Sequence, residues 1–485
     1  MKSLARMRCV LLASSVFLVS CTLPDRNQEA GTRVSLLAIE HVTVVPMSAD
    51  GRPPYRATVI LRDGRIESVA LASQASVPAG ARRIDGKGKW LMPALADCHV
   101  HVENDRVARY LAQDPSLPDG TVDAADLLKL YVANGVLQIA DLGAMSEAVG
   151  LRVAVESGRI LGPHMMLAAM IDGVPPVRPG GSARTADTPE QGRQAVRDAK
   201  AEGYDQIKTY SNLKPETFAA IVDEARRHDM KVIGHIPARG QELTAEFFRP
   251  GFAMVAHAEE YAYQSRNRSD ADIDRFVQLA KRHGTGLIST LSLNERIVEQ
   301  TRSLDVLKSW PHMRYVHPVT YRAWIERNQY AARASPERIV SLEAVVAFNR
   351  RIVKAFMQAG IPLVAGTDSF LPGMVPGFAL HDELEALVRA GMTSEQVLVA
   401  ATRLPAEWLG VSADRGTIEA GKRADLLLLD ADPLADVRNT RRIAAVIAGT
   451  RYLPRRDLDT MLEALAQRYA AMQERLNAMK QESSR

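Results

Sequence analysis

The sequence predicts an α/β protein, a (β/α)8 barrel of the TIM type joined to a small β-sandwich that both ends of the chain build. Three observations support this prediction. Apolar strand-like segments alternate with helical segments through the middle of the chain, and segments rich in Val, Ile and Leu flank that middle on both sides. The length of 485 residues exceeds what one small core needs. A doubly wound parallel sheet is the alternative to the barrel.

The first 21 residues have the pattern of an export signal. A basic start precedes an apolar stretch from Val10 to Val19, which is too short to span a bilayer. The segment LVSC, ending at Cys21, resembles the lipobox of bacterial lipoproteins, in which this cysteine is lipidated after cleavage. Thr22 stands where an aspartate would retain such a protein at the inner membrane. We therefore expect an anchor on the periplasmic face of the outer membrane and a tether over residues 22–33. The alternative is a plain secretory signal that leaves the protein soluble in the periplasm or secreted.

The charge of the chain is nearly balanced, since 61 basic and 57 acidic residues give a net charge of +4. No basic tract suits a phosphate backbone, which argues against nucleic acid as a partner. The composition, 46% hydrophobic and 24% charged, is typical of a globular protein. The processed chain would keep only Cys21 and Cys98, so no structural disulfide is expected.

Residues 34–91 and 407–455 are predicted to form the composite β-domain. The first range holds the runs LLAIEHVTVVPM and ATVILRDGRIESVAL, and Asp63-Gly64 supplies hairpin chemistry. The second range holds GTIEAGKRADLLLLDADPLADV and IAAVIAGTRYL, which have the same character. Two β-rich flanks around a long α/β middle indicate one domain built from both ends.

Residues 92–406 are predicted to form the barrel. The segment KPETFAAIVDEARRHD illustrates its helices, with Pro and Glu in the first turn and an apolar stripe behind them. An insertion at about residues 291–350 is expected to form a lid or substrate wall over the barrel mouth, and residues 456–485 a C-terminal helix. Besides the strand that ends at His99, the predicted strands lie in the segments VLQIADLGA, MMLAAMID, YDQIKTY, KVIGHIP, AMVAHAEE, GLISTLSL and IPLVAGTD.

Ionisable residues stand at the C-terminal ends of five of these strands, where barrels carry their chemistry. His99 and His101 end the first strand and point to one side, because residues i and i+2 of a strand share a face. Two imidazoles and a carboxylate suit Zn²⁺ and similar metals. The other three strands end without such a residue, and Cys98 is expected to pack on the opposite face. The remaining candidates are Lys208, His235, His257 and Asp368.

Each candidate has a plainer alternative. A histidine at a strand end usually packs in a core, Lys208 alone would be a surface lysine, and Asp368 before Ser369 could cap the following helix. The joint placement of six such residues at strand ends favours a metal site.

Several motifs together carry a resemblance to a known family. They are LMPALADCHVH, QIKTY, GHIP, AHAEE, GTDS and GTIEAGKRADLLLLDADPL. Over about residues 35–452 the chain resembles the metal-dependent amidohydrolase superfamily, in particular the imidazolonepropionase-like branch that includes Xaa-Pro dipeptidase-like enzymes.

The resemblance implies a site with two divalent cations, for which Zn²⁺ is the expected metal. One cation would be bound by His99, His101 and Asp368, and the other by His235 and His257.

Lys208 stands where members with two metals carry a carboxylated lysine that bridges them. A free ammonium beside two cations is strongly disfavoured, whereas the neutral amine can take up CO₂ and become an anionic carbamate. Without Lys208 the resemblance would imply a site with one metal.

The resemblance implies hydrolysis of a C–N bond in an amide, a cyclic amide or a short peptide. A hydroxide shared by both cations would attack the carbonyl, and Asp368 would carry its proton to the leaving amine. Tyr210 would donate to the developing oxyanion, or alternatively pack at the barrel rim. Two other functions stay open: ester or lactone hydrolysis at the same site, and a catalytically silent metal-binding lipoprotein. Assembly as an oligomer is compatible with the sequence.

The chain departs from the prolidase-like pattern at one place. Gly180-Gly181-Ser182 stands where such members commonly have Gly-Gly-His, which weakens the expectation of a dipeptide substrate. Glu259-Glu260 would hold a substrate amine or lie in a solvated loop. His164 precedes the third strand and is not counted as a site residue.

Overall fold

The structure is a computed structural model that describes residues 31–71, 73–102, 124–177, 183–237 and 244–483. The predicted signal, Cys21, most of the tether and Gly180-Gly181-Ser182 lie outside the described residues. Within the described ranges, no helix is both long and apolar enough to cross a membrane.

The middle of the chain forms a nearly closed barrel of eight parallel strands, each paired with the next one along the chain. The backbone amide of Cys98 donates to Ala365 O at 2.9 Å and that of Asp368 to His99 O at 2.8 Å, which joins the first strand to the last. This sequential order confirms the barrel and not the doubly wound alternative. The barrel strands are β7 (Leu95–Val100), β8 (Val136–Leu142), β9 (His164–Asp172), β11 (Gln206–Thr209), β12 (Lys231–Gly234), β13 (Phe252–Ala256), β14 (Gly286–Ile288) and β15 (Leu363–Val364), with β10 (Arg184–Thr185) beside β9.

Both ends of the chain build the second sheet, as predicted. Asp63 and Gly64 have φ values of +48° and +77° and form the tight hairpin turn between the paired residues Arg62 and Arg65, because this turn needs two left-handed residues. N-terminal and C-terminal strands share one apolar core. The strands are β1 (Thr32–Arg33), β2 (Leu36–Val44), β3 (Tyr55–Arg62), β4 (Arg65–Leu71), β5 (Arg82–Asp85), β6 (Trp90–Pro93), β16 (Asp425–Leu429), β17 (Ile443–Ala448) and β18 (Arg451–Pro454).

Helices alternate with the barrel strands along the chain, and further helices follow the last of these strands. The α-helices are α1 (Ala124–Ala133), α2 (Glu147–Glu156), α3 (Pro189–Ala201), α4 (Pro215–Arg227), α5 (Thr244–Phe247), α6 (Glu259–Tyr263), α7 (Asp270–His283), α8 (Leu291–Arg302), α9 (Leu304–Ser309), α10 (Pro318–Glu326), α11 (Pro336–Gln358), α12 (Phe378–Arg389), α13 (Ser394–Ala400), α14 (Arg403–Leu409) and α15 (Arg455–Ser483). Short 3₁₀ helices span Pro311–Tyr315, Ala331–Arg333 and Val437–Arg441.

The segment between β14 and β15 is helical and packs against the loop that follows Asp368. Gln300 Nε2 donates to Pro372 O at 2.9 Å, and the rings of Trp324 and Phe370 lie 5.1 Å apart. The segment therefore contacts the loop that follows Asp368, and its predicted role as a lid or substrate wall stays a prediction.

One contact between the second sheet and the barrel is a pair of Asp425 with His164. Asp425 opens β16 and lies with Oδ2 3.2 Å from Nε2 of His164, the first residue of β9. His164 therefore lies at the N-terminal end of the barrel, away from the strand ends that carry the candidate site residues.

Cys98 is buried and packs with Ala140 and Ala168. The ladder between β7 and β8 has an irregularity between Asp97 and Val100. The pairing register therefore shifts in the stretch that holds Cys98 and His99, although Nε2 of both His99 and His101 lies within 3.3 Å of Asp368 Oδ1.

Candidate metal centre

Four predicted histidines meet at one end of the barrel. His99 lies in β7 and His101 directly after it, while His235 follows β12 and His257 follows β13. The ring centroids of His99 and His257 are 4.5 Å apart, those of His235 and His257 5.2 Å, and those of His99 and His101 5.4 Å.

The Asp368 carboxylate lies among these rings. Its Oδ1 is 2.9 Å from Nε2 of His101 and 3.3 Å from Nε2 of His99, and its Oδ2 is 4.0 Å from Nε2 of His257. Burial alone would raise the pKa of Asp368, but the neighbouring His257, the hydrogen bond from His101 and the charge of Lys208 outweigh it and hold that pKa well below its ordinary value. The carboxylate is therefore ionised at neutral pH.

His99 shows that the residues present fit a metal ion. The side chain is completely buried, and although Nε2 lies 3.3 Å from Asp368 Oδ1, neither ring nitrogen makes a hydrogen bond among the described residues. Burial, with the charge of Lys208, lowers its pKa well below the ordinary value, so the imidazole is neutral. A buried polar group without a partner is costly. A cation would satisfy it, because ligand atoms of His99, His101 and Asp368 all lie within 4.8 Å of one another.

Lys208 is only 1% exposed, so it is not a surface lysine. It lies in β11 between β9 and β12, and its charge lowers the pKa of both His99 and Asp368. The charge of Lys208 therefore acts on two of the candidate metal ligands.

Hydrogen bonds from behind orient the second pair of histidines. His235 Nδ1 is hydrogen-bonded to Ser211 Oγ at 2.8 Å, and His257 Nδ1 is hydrogen-bonded to Thr290 Oγ1 at 3.1 Å. When Nδ1 is held in this way, Nε2 is left for a metal. No spacing in the sequence identifies Ser211 or Thr290 for this role.

Glu260 differs from one of the two interpretations offered for the Glu259-Glu260 pair. It is 1% exposed, and its Oε2 accepts a hydrogen bond from the backbone amide of Ile236 at 3.1 Å. Because it is buried in α6, Glu260 does not lie in a solvated loop.

A buried carboxylate also connects the first strand to the last. Asp97 accepts hydrogen bonds from Thr367 Oγ1 at 2.7 Å, from the Thr367 amide at 3.0 Å and from the His99 amide at 3.3 Å. Burial raises the pKa of Asp97 to about 7. This network fixes Asp368, the next residue after Thr367, against His99.

The second and third barrel strands, which were expected to end without chemistry, end in buried aspartates. Asp141 Oδ1 is 4.0 Å from His101 Nδ1, and Asp141 Oδ2 accepts from the Val102 amide at 3.3 Å. Asp172 accepts from the amides of Gly173 at 2.8 Å and Asn212 at 2.9 Å. Asp141 thus supports His101, and Asp172 organises the loop after β9.

Tyr210 directly follows β11. It is buried, and its ring centroid lies 4.2 Å from that of His235. The tyrosine is therefore next to a candidate ligand, a position compatible with both of its predicted roles.

The backbone is strained at this end of the barrel. His257, Thr290 and Asp368 have φ values of +83°, +47° and +56°, in the left-handed region that non-glycine residues rarely adopt. Such strain persists only where surrounding contacts hold it, and it is frequent at functional sites.

Comparison with known proteins agrees with this geometry. Residues 90–451 match the amidohydrolase family. An imidazolonepropionase from Chromobacterium violaceum is 24% identical over 425 residues, covering 78% of this chain and 87% of that protein. A solved structure assigned as a prolidase, from Bifidobacterium longum, aligns with a TM-score of 0.67 at 27% identity and covers 90% of this chain and 100% of its own. A Xaa-Pro dipeptidase with methionine bound in the active site aligns with a TM-score of 0.64 at 18% identity, covering 87% and 100%, and at that identity shows the fold alone.

The matched range covers most of the chain and every candidate ligand from His99 to Asp368. The predicted resemblance to the imidazolonepropionase-like and dipeptidase-like branch is thereby confirmed. The chain belongs to the amidohydrolase family and is an enzyme of the class that hydrolyses carbon–nitrogen bonds.

Proposed function

We propose that the enzyme is metal-dependent and hydrolyses an amide bond in a small cyclic amide or a short peptide. The observation that carries the proposal is the group formed by His99, His101 and Asp368, whose ligand atoms lie within 4.8 Å of one another around an imidazole that has no other hydrogen-bond partner among the described residues. A second cation would be held by His235 and His257, and both are expected to be Zn²⁺.

Bound cations would polarise the substrate carbonyl and lower the pKa of a water molecule toward neutrality. The Asp368 carboxylate would accept a proton from that water at Oδ2 and pass it to the leaving nitrogen as the C–N bond breaks. Tyr210 would donate a hydrogen bond to the carbonyl oxygen as negative charge develops there.

Lys208 would serve as a bridging anion after reaction of its neutral amine with CO₂. Its burial and the effect of its charge on His99 and Asp368 support this assignment, because an ammonium group in that place would oppose cation binding. As a carbamate the same side chain would supply two oxygen ligands.

The names of the relatives support the substrate class. One is an imidazolonepropionase and another is assigned as a prolidase, so both a cyclic amide and a peptide bond to proline belong in a first screen. The Gly180-Gly181-Ser182 departure makes the cyclic amide and N-acyl amino acids the better first choices.

The test is a screen of cyclic amides, N-acyl amino acids, dipeptides and lactones with the wild type and with Asp368→Asn. Asn is nearly isosteric and cannot accept the proton, so turnover should fall about 10²- to 10⁴-fold. Near-normal turnover by Asp368→Asn would contradict the proposed mechanism. Turnover of lactones alone would instead establish an ester hydrolase.

We further propose that the protein is lipidated at Cys21 and held on the periplasmic face of the outer membrane. The lipobox-like segment before Cys21 supports this localisation. Cys21→Ala should move the protein from the outer-membrane fraction to a soluble fraction, and unchanged fractionation would contradict the proposal.

A further inference from the structure

Thr290 connects the end of β14 to a candidate metal ligand. Its Oγ1 lies 3.1 Å from His257 Nδ1, and its backbone has a φ of +47°. The strand ends are also joined directly, because the His257 amide donates to Ile288 O at 3.1 Å and the Ala258 amide to Ser289 O at 3.2 Å. The orientation of His257 thus depends on the loop that carries Thr290.

A distant carboxylate holds this loop on both sides of Thr290. Glu383, in α12, is completely buried and accepts three hydrogen bonds: from Ser289 Oγ at 2.6 Å, from the Leu291 amide at 2.9 Å and from the Ser292 amide at 2.7 Å. A buried carboxylate is retained at low cost only where donors of this kind surround it. It therefore fixes the residues immediately before and after the strained one.

We propose that Glu383 and Thr290 are positioning residues for the metal centre: Glu383 holds the loop, the loop holds Thr290 in its left-handed conformation, and Thr290 orients the His257 imidazole so that Nε2 is presented to a cation. The inference rests on the metal site of the proposed function. The competing explanation is that Glu383 only caps the N-terminus of α8, whose first amides it binds.

Metal affinity separates these explanations. Apo protein would be titrated with Zn²⁺ against a chromophoric chelator, which gives the affinity of each cation without any assay of turnover. Thr290→Val keeps the branched shape and removes the hydroxyl, so one of the two cations should bind about 10- to 100-fold more weakly and the other unchanged. Thr290→Ser keeps the hydroxyl and should restore most of that affinity.

Glu383→Gln should weaken the same cation by about tenfold, because an amide donor would replace one acceptor and face the Ser292 or Leu291 amide. Asp205→Asn is the matched control. The Asp205 carboxylate accepts from the Leu167 amide at 2.9 Å and pairs with Arg152 at 2.6 Å, before β11 at the opposite end of the barrel. Asp205→Asn should lower the melting temperature of the protein and leave the affinities for both cations unchanged. Ser289→Ala, which removes one of the three donors, replaces Glu383→Gln if that variant does not fold.

Equal metal affinities in the wild type and Thr290→Val would overturn the inference while leaving the proposed function intact. A loss of thermal stability in Glu383→Gln with unchanged metal affinity would reduce Glu383 to a helix cap. A wild type that binds no cation would contradict the proposed function, and the inference with it.

Discussion

Replacing Asp425 by Asn should destabilise the fold and leave the geometry of the metal centre unchanged. Asp425 belongs to the GKRADLLLL motif and lies with Oδ2 3.2 Å from His164 Nε2 and 3.4 Å from Arg423 Nε. The pair joins the second sheet to the first residue of β9, and the metal centre lies at the other end of the barrel strands. The substitution keeps the shape of the side chain and removes its charge.

The size of the effect follows from the pKa of Asp425. Burial alone would raise this pKa, but His164 and Arg423 hold it at about 2, against an ordinary value of 3.8. A shift of one pKa unit between the unfolded and folded states corresponds to about 1.36 kcal/mol. The ionised form of Asp425 therefore stabilises the fold by about 2.5 kcal/mol relative to the protonated form. The folded-state pKa lies below the unfolded one, so this contribution is fully present above about pH 4 and is lost as the pH falls through 2.

The assay is urea unfolding of the wild type and Asp425→Asn at pH 7 and pH 3. If unfolding occurs in more than one step, the free energy of the first step is compared. We expect the free energy of unfolding of Asp425→Asn to be lower than that of the wild type by about 2.5 kcal/mol at pH 7 and by about half of that at pH 3. Asp430→Asn is the control, because Asp430 makes an exposed pair with Lys89 and should cost less than about 1 kcal/mol. An equal loss at both pH values, or no loss at pH 7, would refute the assignment of this stability to the charge of Asp425.

Three further predictions concern the metal centre and its loops. Dialysis against a chelator should abolish turnover and Zn²⁺ should restore it, measured on any substrate from the screen; activity that survives complete metal removal would contradict a metal mechanism. Lys208→Ala should bind one cation less and recover part of its activity in millimolar acetate, because a free carboxylate can replace a carbamate; a variant with wild-type metal content would exclude Lys208 as a bridge. Gly173→Ala should cost about 1–3 kcal/mol and raise KM, since its Cβ would overlap the Asn212 carbonyl and push apart the loops after β9 and β11; unchanged thermal unfolding and KM would show that this close approach does not matter.

The placement of the main candidates could be predicted because strand ends are visible in the sequence. His99, Lys208, His257 and Asp368 each end an apolar run, and a parallel barrel brings such ends together whatever the intervening loops do. The fold class followed from the same alternation of strands and helices.

The supporting residues could not be predicted, because their partners are distant and their types are common. Thr367 is 270 residues from Asp97, Glu383 is 94 residues from Ser289, and Thr290 is 33 residues from His257. Threonine and glutamate have no characteristic spacing for such roles, and only the folded chain shows what they contact.

The irregularity near Cys98 was hidden for a similar reason. A β-bulge depends on the register with the neighbouring strand, and a single strand sequence does not contain that register. The alternation that placed Cys98 opposite the histidines therefore assumed a regular ladder that β7 does not have.

The metal content of the purified wild type tests the central claim most directly. After saturation with Zn²⁺ and removal of free metal, elemental analysis should find about two zinc ions per chain, one for each pair of histidines. Fewer than about one zinc ion per chain under these conditions would contradict the two-metal centre on which the proposed function rests.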